Sequence, residues 1–121
     1  MKPRILLVDD DPELAYVLRR VLEETERYEV QVEIFSTDAL EAAKTFRPDL
    51  VILDLNMPGK DGFQVAAEIA AERSLEGAQI LFMTGMDVDD EQTRNVGTLL
   101  AKPVRMAELI NAVDGFLADR A

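Results

Sequence analysis

The run Leu50-Val51-Ile52-Leu53, closed by Asp54, is the feature that most restricts how this chain folds. Four consecutive apolar residues are too short a run to identify a helix and leave no polar face, so they suit a strand covered on both sides. The carboxylate of Asp54 then stands at the strand's tip. Met57-Pro58-Gly59 supplies turn residues directly after it, and Asp61-Gly62 leads into a helical spacing. Alone, an aspartate before such a turn is an ordinary turn former. The ends of the other strands decide whether it is more.

Ile5-Leu6-Leu7-Val8 is a second such run, and it stops at Asp9-Asp10-Asp11. Pro12 follows where a first helical residue needs no N–H, with Asp10 or Asp11 available as the cap. Leu14, Val17, Leu18, Val21 and Leu22 then fall on one helix face. Val30, Val32 and Ile34 alternate with polar residues, the pattern of a strand near a sheet edge. Ser36-Thr37-Asp38 offers caps for a helix reaching about Phe46, which Arg47-Pro48 stops.

Past Asp54, Phe63, Val65, Ala66, Ile69 and Ala70 keep helical spacing, and Gly77 closes that unit. Gln79 to Met83 forms a fourth strand ending at Thr84-Gly85. The stretch from Asp87 to Asn95 should hold the next helix, yet it is acidic and almost without apolar residues, so a short or irregular helix is expected. Thr98 to Ala101 is a fifth strand, ending at Lys102-Pro103. Met106, Leu109, Ile110, Val113 and Phe116 make a last amphipathic helix.

Strands alternating with helices imply an α/β, doubly wound fold, a five-stranded parallel sheet with helices on both faces. At 121 residues, one domain spanning 1–121 is expected. No apolar run approaches the roughly 20 residues needed to cross a bilayer, and the N-terminus lacks a secretory signal pattern, so the expected location is the cytoplasm. Cysteine and histidine are both absent, which removes thiolate chemistry and the usual general base and transition-metal ligand. With 24 acidic and 13 basic residues, the net charge of −11 disfavours direct nucleic-acid contact by this domain.

In a parallel doubly wound sheet the ligand site lies beyond the carboxyl ends of the strands. Those ends carry Asp9 and Asp10, Asp54, Thr84 and Lys102. Three carboxylates about 5 Å apart repel by roughly 3 kcal/mol per pair at an effective dielectric near 20, so a cation is needed among them. Oxygen donors without His or Cys suit Mg²⁺ (or Mn²⁺), with a backbone carbonyl, that of Asn56, completing the set. Asp54 is then placed to attack phosphorus, with Lys102 spreading the charge of the transferring group. Blander roles exist for each residue taken singly, as cap, turn former or structural ion pair. Their coincidence on one rim favours the joint reading.

The ordered set Asp9-Asp10, Asp54 with Met57-Pro58-Gly59, Thr84 and Lys102-Pro103 resembles the receiver domain of two-component response regulators, over essentially the whole chain. The resemblance implies a flavodoxin-like strand order, 2-1-3-4-5, and a cis Lys102-Pro103 bond. It implies Asp54 as phospho-acceptor, Asp10 and the Asn56 carbonyl joining it on Mg²⁺, Asp9 supporting the metal through water, and Thr84 and Lys102 sensing the phosphoryl group. A sensor histidine kinase or histidine phosphotransfer domain would be the donor. A downstream target or fused output domain would be the recipient, with dimerisation on phosphorylation possible. Such a domain is a signalling phosphoacceptor that assists its own phosphorylation and dephosphorylation, and is not otherwise an enzyme. The family commonly has an aromatic residue three positions before the lysine, where this chain has Leu99. Signalling is therefore expected to use the first or last helix, or a surface near Met86 and Leu99. Two other readings compete. An aspartyl-nucleophile phosphohydrolase of the haloacid-dehalogenase type needs a second Asp where this chain has Asn56, and a non-phosphorylated scaffold leaves the intact rim unexplained.

Overall fold

The computed structural model describes residues 1–85 and 98–118. Five strands, β1 (Arg4–Val8), β2 (Glu29–Glu33), β3 (Leu50–Asp54), β4 (Gln79–Thr84) and β5 (Thr98–Ala101), pair in parallel in the order β2-β1-β3-β4-β5. Helices α1 (Pro12–Glu24), α2 (Ala39–Phe46), α3 (Gly62–Ala71) and α4 (Met106–Leu117) cover it, with short 3₁₀ turns at Ser36–Asp38 and Arg73–Leu75. The expected helix from Asp87 to Asn95, and Met86 with it, lie outside the described residues.

The two-residue period of the strands divides the core. Ile5, Leu7, Leu50, Ile52, Leu81, Met83 and Leu100 face α1 and α4, where they meet Leu18, Leu22, Leu109 and Val113. Leu6, Val8, Val51, Leu53 and Phe82 face the other way, onto α2 and α3 through Ala39, Ala43, Val65 and Ile69. Central strands therefore carry continuous apolar runs, Ile5–Val8 in β1 and Leu50–Leu53 in β3, whereas edge strand β2 needs only alternation. Leu99 is partly buried against the α2 and α3 side, in the same cluster as Phe63 and Phe82.

Local signals set the helix starts that matter for the rim. Pro12 opens α1, and Asp11 caps it by accepting from the N–H groups of Glu13 (3.1 Å) and Leu14 (3.3 Å). That choice leaves Asp10 exposed and free of the capping role. Asp61 and Gln64 form a reciprocal capping box at the start of α3. The expected Ser36-Thr37-Asp38 cap is different: these residues form the 3₁₀ turn, and neither Phe35 before that turn nor Asp38 before α2 makes a side-chain cap hydrogen bond. Arg47, in the left-handed region at φ 55°, closes α2 after Phe46. Among the described residues no helix is long and apolar enough to cross a membrane.

Candidate functional site

Strand register brings the predicted residues together. Val8 pairs with Leu53, so the chain leaves β1 and β3 side by side as Asp9 and Asp54. Asp54 pairs with Met83, one residue before Thr84, and Thr84 pairs with Ala101, one residue before Lys102. A main-chain bond continues the ladder beyond the sheet, the Lys102 N–H donating to the Thr84 carbonyl at 2.8 Å. The Lys102-Pro103 bond is cis, as the family pattern implied.

Asp9, Asp54 and Thr84 are almost wholly buried, at 0%, 3% and 1% exposure, while Asp10 opens to solvent. Carboxylate oxygens of Asp9, Asp10 and Asp54 lie within 4.8 Å of one another. The Lys102 ammonium stands between two of them, 3.1 Å from Asp9 Oδ2 and 3.2 Å from Asp54 Oδ2. Each buried carboxylate also accepts from the main chain two residues on: Asp9 Oδ1 from the Asp11 N–H at 2.9 Å, and Asp54 Oδ1 from the Asn56 N–H at 3.2 Å. The sequence placed Lys102 on the rim. Its sharing by Asp9 and Asp54 is a tertiary fact with no local signal.

These contacts do not fully compensate Asp54. Burial pushes its carboxyl up from 3.8 to about 6, and the charge of Asp9 adds to that, against the opposing Asn56 N–H and Lys102. Burial also opposes the Lys102 ammonium, but the hydrogen bonds and charges of Asp9 and Asp54 outweigh it and raise its pKa above the ordinary lysine value. Among the described residues, three carboxylates, when ionised, and one ammonium leave two negative charges, equal and opposite to a divalent cation. The donors are all oxygen, and exposed Asp10 leaves a path of entry, so the residues present suit a hard cation.

The loop after β3 is held close by a missing side chain. A Cβ on Gly62 would sit 2.6 Å from the Asp54 carbonyl oxygen and 2.9 Å from Leu55 Cα, so only glycine lets α3 begin against the strand's end. Sequence reasoning read Ser36 only as a cap and missed where its hydroxyl goes. It donates to the Pro58 carbonyl at 2.8 Å and accepts from the Lys60 N–H at 3.0 Å, inside that loop.

Residues 5–114 match the family model of the response regulator receiver domain. The transcriptional regulatory protein PdtaR of Mycobacterium tuberculosis is 35% identical over 116 residues, which cover 92% of this chain and 55% of that protein. The DNA-binding response regulator MtrA of Mycolicibacterium smegmatis is 36% identical over 117 residues, 93% of this chain and 50% of that protein. This chain spans about half the length of these relatives. Among solved structures, the receiver domain of the sensor histidine kinase PA1611 from Pseudomonas aeruginosa, which has a magnesium ion coordinated in its active site cleft, superposes with a TM-score of 0.84 at 25% identity, covering 98% of this chain and 99% of that one. The chain therefore belongs to the receiver domains of two-component response regulators, a family of signalling domains.

Proposed function

We propose that residues 1–121 form one receiver domain in which Asp54 is the phospho-acceptor, Mg²⁺ (or Mn²⁺) is held by Asp10, Asp54 and the Asn56 carbonyl with Asp9 in support, and Thr84 and Lys102 contact the bound phosphoryl group. The observation that carries this reading is the Asp54 carboxylate, buried at a strand end, ion-paired with Lys102 and grouped with Asp9 and Asp10. Its pKa of about 6 leaves it mostly ionised near pH 7 and so able to act as a nucleophile. One Asp54 oxygen forms the new O–P bond while the P–N bond to a donor phosphohistidine breaks, its electron pair leaving on the imidazole nitrogen. Lys102 then spreads the added negative charge, and its bridge between Asp9 and Asp54 is exchanged for contact with the phosphoryl oxygens. A divalent cation held by Asp10, Asp54 and the Asn56 carbonyl would supply further charge neutralisation for the transfer.

The donor is a sensor histidine kinase or a histidine phosphotransfer domain, consistent with a chain that has no histidine of its own. The domain carries the signal and does not turn over small substrates, because Asn56 stands where a phosphohydrolase needs an acid. Its output lies in a separate target or in a fused domain, as the half-length match to PdtaR and MtrA suggests, and phosphorylation-linked dimerisation is compatible with that role. Its charge of −11 argues that any DNA contact is made elsewhere than on this domain, and its setting is the cytoplasm. Mass spectrometry after exposure to a small acyl phosphate with Mg²⁺ tests the assignment. A single phosphoryl adduct that Asp54→Asn abolishes is expected. An adduct that survives that substitution, or no adduct at all, overturns it.

A further inference from the structure

We propose that Ser36 is a positioning residue for the metal site: its hydroxyl clamps the Pro58-Gly59-Lys60 turn and thereby holds the loop that presents the Asn56 carbonyl. The inference rests on the reading of Asp54 and Asn56 just given.

Mg²⁺ accepts only a narrow range of geometries, with oxygens near 2.0–2.1 Å in an octahedron. Of its proposed ligands, Asp54 closes β3 and Asp10 follows closely on β1, but Asn56 lies in a loop without regular secondary structure between β3 and α3. Loops place groups less accurately than strands unless something outside them holds them. Ser36 meets that need from another connection, 22 residues away in sequence. Its side chain is buried, with the residue 4% exposed, and both capacities of the hydroxyl are used on the loop: the proton goes to the Pro58 carbonyl at 2.8 Å and a lone pair takes the Lys60 N–H at 3.0 Å. One oxygen thus fastens the main chain immediately before and immediately after Gly59.

Gly59 shows how closely the two segments lie. Its φ of +85° favours glycine, and a Cβ there would come within 3.1 Å of Thr37 Cγ2 and 3.3 Å of Ser36 Oγ. Farther along, Lys60 Nζ holds Glu68 of α3 at 2.7 Å, and Gly62 presses α3 against the end of β3. The loop is therefore fastened on both sides of the Asn56 carbonyl: before it by the Asn56 N–H on Asp54 Oδ1 at 3.2 Å, and after it by Ser36 at Pro58 and Lys60. A serine before a helix ordinarily caps that helix. This one instead directs its hydroxyl to the loop, so local helix stability does not account for it.

The test compares wild type with Ser36→Ala by two measurements. In metal-free protein, amide hydrogen exchange at Lys60 should quicken roughly 3- to 10-fold, while Val51 and Ile52 in β3 keep their protection. In a Mg²⁺ titration followed by the Asn56 amide resonance, the half-saturating concentration should rise by a similar factor, with adduct yield from a small acyl phosphate at saturating Mg²⁺ within about twofold of wild type. Ser36→Cys, nearly isosteric and a weaker donor, is held to the same criteria if the alanine variant does not fold. Coincident titrations, or equal acceleration of exchange at Lys60 and throughout β3, would overturn the clamp. If wild type itself binds no Mg²⁺ or takes no phosphoryl group at Asp54, the functional reading falls instead, and Lys60 exchange still judges the Ser36 contact.

Discussion

Two clusters of charge sit at opposite ends of the sheet and are built on opposite terms. Beyond the carboxyl ends of the strands, Asp9 and Asp54 share one ammonium, and Asp10 adds a third negative charge beside them. At the other end, before β2 begins, a single carboxylate, Asp114 of α4, has partners to spare. Arg27 donates to both its oxygens at 2.9 and 3.0 Å, and the Tyr28 hydroxyl donates to it as well. Arg27 also lies over the Tyr28 ring, 5.6 Å from its centroid. The second cluster is satisfied and ties the segment after α1 to α4. The first, among the described residues, has one ammonium for three carboxylates, a balance that a bound cation would change. A fold that keeps one end saturated can leave the other in deficit without losing its packing.

Metal should separate the two ends most strongly. Binding only the folded state, Mg²⁺ at 100 times its dissociation constant stabilises by about 2.7 kcal/mol, read as a rise in melting temperature. Asp10→Asn should shrink that rise and Asp114→Asn should leave it intact. An unchanged melting temperature at saturating Mg²⁺ would break the contrast.

Proton binding comes next. The Asp54 pKa of about 6 in the folded protein lies above the ordinary 3.8, so the folded state holds this proton more tightly than the unfolded one. The stability linked to it is complete below about pH 4 and is lost as pH rises through about 6. In metal-free urea unfolding, Asp54→Asn should therefore gain on wild type across that window, by on the order of 2 kcal/mol, and hold a constant lead above it. A difference flat in pH would mean that Asp54 is not in deficit. Mg²⁺ affinity should run the other way, strengthening with pH because the ligand must be ionised.

The smallest effect belongs to the satisfied end. Burial first, and then the hydrogen bond to Asp114, push the Tyr28 hydroxyl up to about 12. Tyr28→Phe should cost roughly 0.5–1.5 kcal/mol and leave the Mg²⁺-induced stabilisation as it was. A loss of that stabilisation would show that the two ends are coupled.

What could be read from the chain was whatever repeats along it or punctuates it. The apolar runs at Ile5–Val8 and Leu50–Leu53, the Pro12 helix start and the acid, hydroxyl and lysine at successive strand ends are all local patterns, and the parallel register turns them into one rim. The strand order came from family resemblance, since periodicity says which residues are buried and not which strands are neighbours. Side-chain ties between distant segments left no mark in the sequence. Tyr28 meets Asp114 across 86 residues, and Ser36, read as a helix cap, reaches Pro58 across 22. Lys102 was placed correctly, but its double partnership depends on two strands arriving side by side.

The hydrogen bond from the Lys102 main chain to the Thr84 carbonyl makes a single crosspiece of the two polar residues at the ends of β4 and β5. The Pro103 bend follows and α4 begins at Met106, so the hydrogen-bonded main chain at the rim runs straight on into a helix that covers the outside of the sheet.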